Sequence, residues 1–171
     1  MTAKMIVAFG DPILRKIAKP VESITPKIIK LLDDLTDTLY ADEGRSGLAA
    51  PQVGILRRVI VMDCGEGLVE LINPEIIYKS GEQIGPEGCL SYPGHAGIVS
   101  RAQSVRVKTI TRSGAETIIA ADGFLARCIQ HEVDHLNGIL YIDHIKDGLF
   151  YNEWTNVRAN LLAVTKLSHS K

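Results

Sequence analysis

The sequence predicts an α+β fold, and three observations predict it. β-rich runs fill the middle of the chain, helical spacing flanks them, and the apolar run from Phe124 to Leu136 carries two histidines four residues apart. Residues 1–171 are expected to form one domain, because no linker, repeat or low-complexity tract divides them. A chain of 171 residues buries roughly 70% of the surface its unfolded form exposes, so a metal is not needed merely to hold a tiny fold together.

Taken in order, Gly10-Asp11-Pro12-Ile13-Leu14-Arg15 reads as a turn followed by a short extended or irregular segment, since glycine and proline punctuate it. Thr25-Pro26 opens an N-terminal helix: threonine caps, and proline occupies the first helical position, where its missing N–H costs nothing. Ile28, Leu32, Leu35 and Leu39 recur at helical spacing until Asp42-Glu43-Gly44. Gly47-Leu48-Ala49-Ala50-Pro51-Gln52-Val53-Gly54 fits neither a good helix nor a good strand. Its small residues imply backbone packed closely against something, with Gln52 offering amide donors and an acceptor.

Arg58 to Asp63 is β-rich, and Val69 to Ile72 and Ile76 to Tyr78 read as two further strands with Asn73-Pro74 between them. Val105 to Ile110 alternates cleanly, and Glu116 to Ala120 returns beside it as an antiparallel hairpin across Arg112-Ser113-Gly114. Asp122 is placed to cap the histidine-bearing helix and Gly138 to end it in a left-handed conformation. Leu125, Cys128, Ile129, Val133 and Leu136 form that helix's apolar face, so the sheets should pack around it, with Cys128 as inert core. Beyond Asp147-Gly148, the positions Phe150, Trp154, Val157, Leu161 and Val164 predict a C-terminal helix.

Composition excludes several classes. A net charge of −1 and a pI near 6.5 supply no basic surplus for neutralising phosphates, so direct nucleic-acid binding is not expected. The apolar run near Met1 is too short for a signal peptide and nothing later approaches a membrane span, which predicts a cytoplasmic protein without membrane binding. Cys64, Cys89 and Cys128 are odd in number and widely spaced, which argues for free thiols in a reducing compartment.

The chemistry is concentrated in Gln130-His131-Glu132-Val133-Asp134-His135. Histidines four residues apart on a helix lie about 40° apart around its axis, so both imidazoles can reach one ion. Glu132, on a neighbouring part of that face, can handle the proton of a metal-bound water without being a ligand. A catalytic site then needs a third protein ligand. An extended zincin would place a histidine at position 141, where this chain has Tyr141. Two alternatives remain: Glu153, spaced as in another metallopeptidase arrangement, and Cys89, presented from a turn in Glu87-Gly88-Cys89-Leu90-Ser91. A thiolate with two imidazoles suits divalent iron or zinc.

Gly47 to Gln52, Glu87 to Ser91 and Gln130 to His135 together resemble the three motifs of the peptide deformylases, in the family's order, and Gly10 to Arg15 with Ala18, Pro20 and Val21 is similar to its N-terminal segment. The resemblance covers about Gly10 to Ile145. It implies antiparallel β-sheets around a central metal-binding helix. It also implies a hydrolase that removes the formyl group from the N-terminal formylmethionine of nascent chains. By the same resemblance Cys89, His131 and His135 are the ligands of one Fe(2+) per chain, with Zn(2+) or another divalent metal as substitute, and Glu132 is the general acid/base. Gln52 and the Leu90 N–H would bind the oxyanion, while Gly47, Ile129 and Val133 would contact substrate. Metal-bound hydroxide would attack the formyl carbon, Glu132 would protonate the leaving amine, and formate would depart.

Two departures bear on the groove. Arg45 and Ser46 stand where the family has a further glycine and its neighbour, and Tyr92 to Gly97 contains no arginine where some relatives place one. His95, His144 and His169 match no ligand position and are read as surface or loop residues. A zinc endopeptidase using Glu153, and a non-enzymatic module that binds formylated N-termini because Arg45 or Ser46 obstructs the groove, are the rival readings. The resemblance also implies that the C-terminal helix is the segment to contact the ribosome near the tunnel exit.

Overall fold

The computed structural model describes residues 3–169. Pro12–Arg15 forms one 3₁₀ turn where an extended or irregular segment was expected, because the Asp11 carboxylate accepts from the Ile13 N–H at 3.0 Å. Helix α1 (Pro26–Tyr40) begins where Thr25 and Pro26 place it, with Thr25 Oγ1 accepting from the Ile28 N–H. The strands are β1 (Gly47–Ala49), β2 (Val59–Asp63), β3 (Leu68–Ser80), β4 (Gln83–Cys89), β5 (Tyr92–Arg101), β6 (Ser104–Ile110), β7 (Glu116–Asp122) and β8 (Ile145–Asn152). Helix α2 (Gly123–Leu136) lies between β7 and β8, and α3 (Leu161–Ser168) follows β8. Pairing is antiparallel throughout two sheets, ordered β1-β2-β3-β6-β7 and β4-β5-β8.

Side-chain alternation along β2 explains how the larger sheet holds a helix on each face. Val59 and Val61 pack with Leu32, Leu35 and Leu39 of α1, whereas Ile60 and Met62 pack with Ala126, Ile129, Val133 and Leu136 of α2. The opposite side of α2 meets the smaller sheet through polar groups. Arg127 donates to the Val99 carbonyl at 3.1 Å, and just past the end of β5 Gln130 Oε1 accepts from the Ala102 N–H at 3.0 Å. Helix α2 is thus gripped between two antiparallel sheets, and that grip fixes where its histidines point.

Three local readings need correction. Val69 to Tyr78 is one strand with a bulge rather than two: Asn73 takes a φ of 49°, and its side-chain amide exchanges hydrogen bonds of 2.8 and 2.7 Å with the Val21 backbone. Asp122 precedes α2 without capping it by side chain, because its carboxylate binds the Ser104 hydroxyl. The C-terminal helix is shorter than its spacing implied. Phe150 pairs with Gly97 in β8, the Asn152 carboxamide accepts from the Trp154 and Thr155 N–H groups, and Asn156 has a φ of 55°, so helix begins only at Leu161. Among the described residues no helix is long and apolar enough to cross a membrane.

Arg15 ties the two ends of the chain together. It forks onto Asp143 at 2.6 and 3.0 Å and reaches the Ser168 carbonyl and hydroxyl in α3. Burial would raise the Asp143 carboxyl, but Arg15 and the Leu140 N–H hold it below the ordinary range. A carboxyl lowered on folding contributes stability that is fully present above its unfolded value of about 3.9 and is lost as pH falls through the folded value. Asp143→Asn should therefore cost about 1 kcal/mol at neutral pH, a figure already reduced for solvent screening, with the gap to wild type closing in acid. Urea titrations at neutral pH and below about pH 4 check both halves of this expectation.

Candidate metal centre and active site

Helix α2 presents His131 and His135 one turn apart, with ring centroids separated by 5.1 Å. Cys89 reaches them from the end of β4. Glu87 and Cys89 are buried on the same face of that strand, as the two-residue period requires, and the β4–β5 register shifts between them before the chain turns at Leu90. Cys89 Sγ lies 3.4 Å from His135 Nε2, and one donor atom from each of Cys89, His131 and His135 falls within 4.8 Å of the others. A tetrahedral cation with metal–sulfur and metal–nitrogen bonds of about 2.3 and 2.1 Å would set sulfur and nitrogen about 3.6 Å apart. The donor set therefore fits a divalent cation, and three protein ligands leave a fourth position for a small molecule.

Glu87, to which the sequence reading gave no role, orients the site. Its carboxylate accepts from His131 Nδ1 at 2.8 Å, directing Nε2 toward Cys89 and His135, and binds Arg101 at 2.8 and 2.9 Å and Arg127 at 2.6 Å. Burial alone would raise this carboxyl, yet hydrogen bonds from Arg101 and His131 hold it well below the usual carboxylate range. The motif spelling Glu87-Gly88-Cys89 was the available signal, since a residue two before the cysteine on a strand shares its face. Arg101 also bridges to Asp134 at 2.6 Å, and Asp134 to His144 at 2.9 Å, which anchors the network to the surface.

Glu132 is buried, and one of its carboxylate oxygens has no hydrogen-bond partner among the described residues. Burial, reinforced by the negative charge of Glu87 and opposed by His131, pushes its carboxyl up to about 7. That range suits a group that must accept and then return a proton near neutral pH. Gln52 is fixed by the backbone three residues before it: Oε1 accepts from the Ala49 N–H at 3.0 Å, so the amide nitrogen faces Cys89 Sγ at 3.5 Å and Ser91 Oγ at 3.2 Å. Tyr141, standing where an extended zincin would have its third histidine, instead stacks on the His131 ring with centroids 6.0 Å apart.

A cavity of about 370 Å³ opens over these groups. Gly47, Gln52, Cys89, Leu90, His131 and Glu132 all line it. Ile129 and Val133, expected as substrate contacts, do not: both face the larger sheet within the core, and the helical face one residue earlier supplies Phe124, Arg127 and Cys128 to the cavity instead. Cys128 is buried in the core cluster with Ala126 and Ile129, as expected, and also forms part of the cavity wall. A hydrogen bond with Cys64, together with burial, pushes its thiol well up, and all three cysteines are free. His95 is more than a surface residue, since it lies half-buried on β5, stacks on Phe150 with ring centroids 5.4 Å apart, meets the Tyr92 ring at a tilt, and lines the cavity. His144 and His169 are exposed, as expected.

One rival reading loses its structural basis and the other loses its Arg45 half. Glu153 does not join the Cys89, His131 and His135 cluster but stands in the cavity wall. Arg45 does not obstruct the groove, because its guanidinium is drawn back onto the Thr38 carbonyl and Asp42 at the end of α1, leaving Ser46 and Gly47 as lining.

Residues 3–149 match the family model described as polypeptide deformylase. The peptide deformylase of Carboxydothermus hydrogenoformans is 58% identical over 143 residues, spanning 84% of this chain and 93% of that protein, and the one from Halothermothrix orenii is 56% identical over 147 residues, spanning 85% and 95%. Among solved structures, peptide deformylase from Thermotoga maritima superposes with a TM-score of 0.82 at 42% identity, covering 85% of this chain and 99% of that one. The Legionella pneumophila enzyme covers 99% of both chains at 38% identity and a TM-score of 0.82. A Synechococcus elongatus peptide deformylase in complex with actinonin covers 97% of this chain and 86% of its own at 36% identity and a TM-score of 0.81. With the spatial convergence of its three motifs now matched by identity along most of its length, the chain belongs to the polypeptide deformylase family.

Proposed function

We propose that this cavity binds the formylmethionyl end of a nascent polypeptide and hydrolyses its N-formyl amide, releasing formate. The observation that carries the reading is a cysteine sulfur and two imidazoles converging beside a buried Glu132 with a free carboxylate oxygen. Cys89, His131 and His135 would hold one divalent cation, for which we assign Fe(2+), with Zn(2+) an acceptable substitute at the same donors. When bound, the cation supplies positive charge that polarises the formyl carbonyl and acidifies the attacking water.

The remaining steps belong to the chain's own side chains. Glu132 takes the proton of the attacking water and returns it to the amine nitrogen as the carbon–nitrogen bond breaks. The Gln52 amide and the Leu90 backbone N–H donate to the formyl oxygen as negative charge develops there, and one such donor is typically worth about 3 to 4 kcal/mol of barrier. Glu87 holds the His131 ring, and the methionine side chain enters the cavity between Phe124, Arg127, Cys128 and the Gly47 edge. We read residues 1–171 as one catalytic domain working in the cytoplasm. The test is formate release from formyl-Met-Ala-Ser by anaerobically purified protein. Absence of release under every metal loading would leave only a module that binds formylated ends.

Gly47 has a specific part in this. A Cβ at that position would stand 2.8 Å from a Glu132 carboxylate oxygen and 3.1 Å from the two carbons behind it. Real side chains do not approach so closely, and Glu132 is held by the helix, so Gly47→Ala should rotate the carboxylate away from the attacking water. We expect kcat to fall about tenfold to a hundredfold while the thermal midpoint shifts little. An unchanged kcat would show that Gly47 serves only to admit substrate.

A further inference from the structure

Glu153 was singled out by its spacing from the histidines and is left over once Cys89 completes the ligand set. It lies in the turn that follows β8, past residue 149, where the family match ends. The turn is seated against the cavity wall: the Glu153 N–H donates to the Gly94 carbonyl at 2.9 Å, and Trp154 covers Gly94 so closely that a Cβ there would be 2.5 Å from its ring. Gly88, next to the ligand Cys89, presents bare backbone to this turn, and its Cβ position is 3.7 Å from a Glu153 carboxylate oxygen.

The lining of the cavity divides by exposure. Its depths are the buried groups around Cys89, His131 and Glu132, and its exposed rim consists of Gly44, Pro86, Gly88, Pro93, Phe124 and Glu153. Among these described residues Glu153 is the one charged rim group. Of the deeper carboxylates, Glu87 is neutralised by Arg101 and Arg127, which commits the Arg127 guanidinium to it, and Glu132 is taken up by the proton transfer of the deformylase reading. The Glu153 carboxylate has no ion-pair partner of its own among the described residues.

We propose that Glu153 is a specificity-determining residue that selects substrates by the charge of the first few residues after formylmethionine, favouring lysine or arginine and disfavouring aspartate or glutamate. The inference rests on the deformylase reading of the cavity. A peptide whose formyl group sits at the cluster, and whose first side chain fills the depths, must leave across the rim. At about 3.3 Å per extended residue its second to fourth positions pass there. The carboxylate acts on them through solvent and so alters binding more than chemistry.

The experiment is kcat/KM, by formate release, for C-terminally amidated formyl-Met-Ala-Lys, formyl-Met-Ala-Ser and formyl-Met-Ala-Glu with wild type, Glu153→Gln and Glu153→Lys. Wild type should prefer the lysine peptide over the glutamate peptide by about fivefold, expressed in KM and shrinking at about 0.5 M salt. The preference should vanish in Glu153→Gln and invert in Glu153→Lys, with the serine peptide turned over equally by all three. A wild-type enzyme indifferent to charge, or a preference that survives in Glu153→Gln, overturns the assignment. Failure of all three proteins to release formate from the serine peptide would instead remove the deformylase reading beneath it.

Discussion

In Glu132→Gln, formate release should fall by about three orders of magnitude while the bound cation stays at the wild-type stoichiometry. The substitution keeps the shape of a side chain buried beside His131 and removes only its ability to take and return a proton. Cys89→Ala should give the complementary result, losing both the cation and the activity, because Cys89 supplies one of three donor atoms lying within 4.8 Å of one another. Glu153→Ala should retain both on a neutral peptide. Metal analysis and formate release on the same preparations check all three. Cation loss in Glu153→Ala with retention in Cys89→Ala would restore the metallopeptidase arrangement, against the placing of Glu153 outside the donor cluster.

Much of this site was legible because its donors come from rigid, periodic elements. Two histidines at helical spacing must share a face, so their convergence needed no knowledge of the tertiary fold. The third donor could not be settled that way. Cys89 and Glu153 are both distant in sequence from the helix, and only the seating of β4 against α2 brings the sulfur to His135. The sheet was legible where alternation is clean, as in β6 and β7, and misread where a bulge hides continuity, as at Asn73. The C-terminal misreading has a related cause: Phe150, Trp154 and Val157 satisfy a helical spacing by coincidence, while the Asn152 carboxamide and the left-handed Asn156 enforce a turn. The pocket residues shifted by one position around α2 because periodicity identifies an apolar face but not which sheet it meets. Ile129 and Val133 belong to the face that Met62 and Leu71 cover, and the cavity takes the neighbouring strip.

Glu87 is the residue whose loss should cost the most in stability. Its side chain is 4% exposed, and it is the carboxylate on which Arg101, Arg127 and His131 all converge, two of them guanidiniums with side-chain exposures of 6% and 7%. Removing one partner from a buried ion cluster leaves the others charged and uncompensated, which typically costs about 3 to 5 kcal/mol. Arg101 retains Asp134, but Arg127 has no other carboxylate partner among the described residues and is left with Gln83 and backbone carbonyls. Glu87→Gln should thus lower the thermal midpoint by on the order of 10 °C. It should also weaken metal binding by about tenfold to a hundredfold, since a neutral amide is a poorer acceptor for His131 Nδ1 and leaves the ring less firmly aimed. The two readouts separate its roles. A lowered midpoint with wild-type metal affinity would make Glu87 a packing group only, and an unchanged midpoint would mean that the guanidiniums find solvent or other acceptors once the carboxylate is gone.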